Sequence, residues 1–135
     1  MELTVSFRTM SFPNMTIDNI VCEDDSVRIE IGYAVIVKNM EDADQDTRWY
    51  GKGVLKVSDL VIQSDQHPNL PAQVITADIK NNQITYRDEV VIPFKYHGNV
   101  GITLKFEDFE LPVKFIGEQM EFDVSGHEKY LEHIS

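Results

Sequence analysis

Residues 90–124 read VVIPFKYHGNVGITLKFEDFELPVKFIGEQMEFDV, and the spacing of their large apolar side chains decides the fold. Folding Val90–Tyr96 onto Val100–Phe106 about His97-Gly98-Asn99 opposes Tyr96 to Val100, Phe94 to Ile102, Ile92 to Leu104 and Val90 to Phe106. Folding the next segment back about Glu107-Asp108 opposes Phe106 to Phe109, Leu104 to Leu111, Ile102 to Val113 and Val100 to Phe115. A third reversal through Ile116–Gln119 sets Phe115 against Met120, Val113 against Phe122 and Leu111 against Val124. Side chains alternate between faces along a strand, so a slip of one residue in any turn would carry the whole apolar set into water. The pattern predicts an antiparallel four-strand meander packed on a core through one face. Pro93 and Pro112 qualify it. Both fall opposite Thr103, whose amide and carbonyl point to one neighbour only, so the missing donor of Pro112 calls for a bulge or a change of sheet in the strand 120–124.

The same period of two runs through Val27, Ile29, Ile31, Tyr33, Val35 and Val37, which predicts one long strand with those residues on its buried side. Leu3, Val5 and Phe7 alternate likewise, and a mixed stretch Thr16–Cys22 leads into the polar turn Glu23-Asp24-Asp25. Trp49–Val57, Leu60–Gln63 and Gln73–Lys80 also read as extended. Asn81-Asn82, tolerant of positive φ, turns the last of these onto Gln83–Arg87 and pairs Ile79 with Ile84 and Ala77 with Tyr86. Nine or ten short strands at this spacing predict an all-β antiparallel β-sandwich, with a closed β-barrel as the alternative. A helical signal comes only at the C-terminus. Ser125-Gly126-His127-Glu128 has the spacing of a capping box, and Tyr130, Leu131 and Ile134 give a short helix a small apolar stripe.

A chain of 135 residues fits a single domain over 1–135. No apolar run is long enough for a membrane span, and Met1–Arg8 has neither the basic nor the continuous apolar part of a secretory signal, so a cytoplasmic setting is expected. The 23 acidic against 12 basic side chains, net −11, repel phosphate backbones and argue against nucleic acid as a partner. Cys22 is the lone cysteine, which excludes an intrachain disulfide and a cysteine-rich zinc site and predicts a small core residue.

Two adjoining stretches carry the functional leads. In Glu41-Asp42-Ala43-Asp44-Gln45-Asp46 the alternate carboxylates Asp42, Asp44 and Asp46 match the start of a calcium loop, where hard oxygen ligands converge on one ion. The match then stops: the positions that should hold Gly and a bidentate Glu are Thr47 and Gly53. Were Glu23-Asp24-Asp25 or Glu107-Asp108 to join the loop at one end of a sandwich, the arrangement would be similar to C2-type domains, and that resemblance implies a calcium-dependent module. A solvated acidic loop is the plainer reading. Directly after it, Arg48-Trp49-Tyr50 groups the residue types that anchor binding interfaces, while Gly51 and Gly53 leave room for a ligand or another backbone to come close. A single tryptophan in a β-domain also serves as a core plug.

The four histidines fall at no metal-binding spacing, and no G-x-S-x-G, H-E-x-x-H or nucleotide-binding glycine pattern is present. The sequence therefore predicts a non-enzymatic module that binds a protein or small ligand through Arg48, Trp49 and Tyr50 beside the acidic loop. A calcium-dependent C2-like module and a structural subunit of a homo-oligomer are the alternatives, and calcium is the one cofactor in view.

Overall fold

The computed structural model describes the backbone of residues 5–40 and 46–134, and the side-chain surroundings of residues 8–38 and 47–125. The strands are β1 (Val5–Glu23), β2 (Ser26–Met40), β3 (Asp46–Ser58), β4 (Ile62–Gln63), β5 (Ala72–Asn81), β6 (Ile84–Arg87), β7 (Glu89–Ile92), β8 (Phe94–Phe106) and β9 (Phe109–Ile134). All pairings are antiparallel. The path runs β6-β5-β8-β9-β3-β2-β1-β7, and Thr16 and Ile17 of β1 pair with Gln73 and Ala72 of β5. That contact closes β1, β2, β3, β9, β8 and β5 into a six-strand barrel, the alternative to the expected sandwich. Closure removes the edges that two stacked sheets would leave open. The interior is packed with side chains such as Phe12, Ile29, Leu55, Ile79, Leu104 and Phe115, and no polar or charged residue is buried among the described residues.

The four-strand meander is corrected to one long hairpin. The turn at Glu107-Asp108 stands as expected, with Phe106 opposite Phe109 and Asp108 at a φ of 63°. Beyond it Leu104 meets Val113 and Ile102 meets Phe115, because β9 gains two residues around Pro112. The proline's missing donor falls in this bulge rather than in a regular ladder. A shift of two preserves the faces beyond Pro112, so Val113 and Phe115 stay in the core with new partners, whereas Leu111, expected there too, falls in the bulge and is 52% exposed.

His97-Gly98-Asn99 is no turn but a bulge inside β8, and Ile116–Gln119 lies across from it inside a continuous β9, where Phe94 pairs with Phe122 and Tyr96 with Met120. The bulge is held from outside the hairpin. Asn82, at the β5–β6 turn, donates its amide to the His97 carbonyl (2.8 Å) and accepts the Asn99 amide (3.0 Å). Gly98 sits at φ +109° in this clasp, a conformation that side chains rarely adopt.

Three further expectations change. The C-terminal helix is absent: Ser125–Ile134 continues β9 along β3, from Lys52 opposite Ser125 to Asp46 opposite Ile134. A helix of some ten residues is marginal alone, whereas the edge of β3 offers backbone partners along most of its length. The β5–β6 loop is Asn82-Gln83, so Asn81 pairs with Ile84 and Ile79 with Tyr86. Cys22 is exposed rather than buried although its partner Val27 is in the core, since this end of β1 has β2 as its one described strand neighbour.

The barrel closes differently at its two ends. Below the Thr16–Gln73 contact β1 and β5 part, and β6 and β7 fill the fork, β6 running back along β5 and β7 away along β1. Asp88 is the apex, at a φ of 65°. Its amide donates to the Ala77 carbonyl (2.8 Å), its carbonyl accepts the Phe12 amide (2.8 Å), and its carboxylate accepts the Ala77 amide (2.9 Å). Where β6 and β7 diverge, aromatic rings span the gap: Tyr86 on Tyr96 (6.2 Å), Tyr96 on Phe94 (4.6 Å) and Phe94 on Phe122 (6.2 Å). Burial, and secondarily the neighbouring Tyr86, push the Tyr96 phenol up to about 12.

Candidate functional site

Strand β2 begins as its alternation predicts, with Val27, Ile29 and Ile31 buried. Between the pairs Ile31–Gly53 and Ala34–Gly51 it gains a residue at Gly32-Tyr33. A bulge of this kind reverses which side chains face the core. Ala34 and Ile36 then point inward, each about 1% exposed, and Tyr33, Val35 and Val37 turn to the outer face, where they are half-buried. This overturns the expectation that the odd-numbered set stays inside throughout. The signal available in the sequence was Gly32, a glycine in the middle of an otherwise regular strand.

The same alternation divides the predicted Arg48-Trp49-Tyr50 patch. Trp49 lies opposite the buried Ile36 and packs against the core as a partly buried plug. Its Nε1 donates to Thr47 Oγ1 (2.7 Å), and Lys38 Nζ stands 4.0 Å from the ring centroid. Arg48 and Tyr50 lie opposite Val37 and Val35 and share the outer face with them. The Tyr50 ring stacks on Tyr33, centroids 5.4 Å apart at 23°. Gly53 admits not a ligand but β9: a Cβ there would stand 2.5 Å from the Asp123 carbonyl oxygen and 2.8 Å from the Phe122 ring.

Two cross-strand rows result on the outer surface. One runs Val91, Thr9, Val37, Arg48 and the other Glu89, Ser11, Val35, Tyr50, over β7, β1, β2 and β3. Val91, at the margin, is 52% exposed. The surface is thus a mixed band in which Val35, Val37, Val91 and the stacked Tyr33 and Tyr50 surround Thr9 and Ser11, with a cation and an anion at diagonal corners.

The acidic loop contributes little that is visible. Asp42 and Asp44 lie outside the described residues, and Asp46 opens β3, where its backbone pairs with Ile134. The turns proposed to join it are far away. Glu23-Asp24-Asp25 is at the other end of the 15-residue β2, and Glu107-Asp108 precedes the other end of the 26-residue β9. At about 3.3 Å per residue either strand separates its ends by tens of ångströms. Among the described residues no group of three or more His, Cys, Asp or Glu is placed to hold a metal ion, and no helix is long and apolar enough to cross a membrane. Comparison with protein-family models, with curated proteins and with solved structures finds no match to this chain.

Proposed function

We propose that this protein is a non-catalytic, cytoplasmic interaction module that receives a folded protein partner on the outer band of Tyr33, Val35, Val37, Arg48 and Tyr50. The observation that carries the reading is the Gly32-Tyr33 bulge, which takes three large apolar side chains out of the core pattern and sets them beside Tyr50. The barrel interior is filled without them, so their outward placement is not required by packing. Stacked tyrosines supply wide contact area at low entropic cost, and Arg48 and Glu89 at opposite corners would orient what docks there.

The test is a pull-down comparing the native chain with Arg48→Ala, Tyr50→Ala and Val35→Ser, each variant checked for an unchanged urea midpoint. Recovery of one protein by the native chain and several-fold weaker recovery by the folded variants supports the band. Undiminished recovery by all three removes it.

A further inference from the structure

The two-residue strand β4 is a sheet edge, and Val61, just before it, is the most exposed large apolar side chain among the described residues. Ile62 and Gln63 pair with Ile116 and Phe115 of β9 on one side, flanked by bonds from Val61 N to Ile116 O (2.7 Å) and from Ser64 N to Lys114 O (2.9 Å). No described strand lies on the other side. The reason is local: β4 prolongs the path of β3 beyond the β1–β2 turn, whose last contact is Leu60 N donating to Asp25 O (2.8 Å). Val61 is 73% exposed and Ile62 47%. Natural sheet edges are ordinarily kept short, as this one is, and guarded by charged side chains, lysine above all, by proline or by a covering loop. This one has carboxylates around it: Asp59 before it, Asp65 after it, and the exposed Glu23, Asp24 and Asp25 of the adjoining turn.

A second copy of this chain fits poorly. Antiparallel self-pairing centred on Ile62 would set Asp59 opposite Asp65 at both ends, between molecules that each carry net −11. We infer that β4 receives an extended segment of a different protein, with apolar residues at its centre and Lys or Arg at its ends, added as a further strand. Backbone bonds would give such a segment its alignment, Val61 and Ile62 its apolar contact, and the surrounding carboxylates its preference for basic ends. This surface is separate from the Tyr33–Tyr50 band, and its test does not depend on that reading.

Three synthetic nine-residue peptides on the full chain decide it: KKVTVTVKK, the same with Glu for each Lys, and the basic one N-methylated at alternate residues so that it cannot pair. The basic peptide is expected to bind, with NMR shifts concentrated at Val61–Asp65 and affinity falling at least tenfold as salt is raised or in Val61→Ser/Ile62→Ser. The exposed positions of both substitutions keep the variant folded, which its own spectrum verifies. Equal binding of the acidic or N-methylated peptide, shifts centred elsewhere, or no binding at millimolar peptide would each overturn the inference. So would light scattering that shows a dimer lost in the double variant.

Discussion

Replacing Asp88 examines how the fork between β1 and β5 is held. Of its three bonds only one uses the side chain, the carboxylate accepting the Ala77 amide at 2.9 Å. Ala77 is 2% exposed, so loss of that acceptor leaves a buried donor unsatisfied, a cost of about 1–3 kcal/mol. Alanine keeps the Cβ that aspartate also carries at this φ of 65° and relieves none of its crowding. Asparagine retains an acceptor oxygen and tolerates this backbone; glycine accepts the backbone but lacks the oxygen. The expected order of stability is Asp and Asn together, then Gly, then Ala, with Asp88→Ala lower by about 1–3 kcal/mol. Urea unfolding with an unchanged m-value measures the order, and hydrogen exchange at the Ala77 amide reports the bond itself. The reasoning is refuted if Asp88→Asn is as damaging as Asp88→Ala, or if the Ala77 amide keeps its protection in Asp88→Ala.

Gly53→Ala would press a methyl group against the Asp123 carbonyl and the Phe122 ring, and a loss of about 1–3 kcal/mol is expected, read from the urea midpoint. A midpoint equal to the native one would mean that β3 and β9 are not so close. The Tyr96 phenol holds its proton more tightly in the folded chain, up to about 12 against an ordinary 10.0. Its contribution is therefore whole below pH 10 and is lost as pH rises from about 10 to about 12. Stability should fall across that interval, and Tyr96→Phe should flatten the fall; an equally steep decline in the variant would count against the burial of this ring.

The sequence revealed the all-β class because apolar alternation survives whatever the strands pair with. Phe94, Ile102, Leu104, Val113, Phe115 and Phe122 all reach the core, although Phe106–Phe109 is the single pair kept from the expected register. What it concealed were irregularities. His97-Gly98-Asn99 has the composition of a turn, and only the clasp by Asn82, distant in sequence, shows it to be a bulge. Gly32 is ambiguous in the same way, and with it the placement of Tyr33, Val35 and Val37. The candidate site was legible as far as Arg48 and Tyr50. Trp49 parts from them by strand alternation alone, since consecutive side chains in a strand face opposite sides of the sheet.

The order of pairing also bears on how the chain comes off the ribosome. Strand β2 meets its partner β1 as soon as both exist, and β8 and β9 fold back on each other through a two-residue turn. The second partner of β3 is made much later than β3 itself: Asp46 waits for Ile134 and Ser58 for Gln119. Between the synthesis of β3 and that of the later part of β9, then, the nascent chain presents an uncovered flank of β3, and the interval ends only when that part of β9 has emerged.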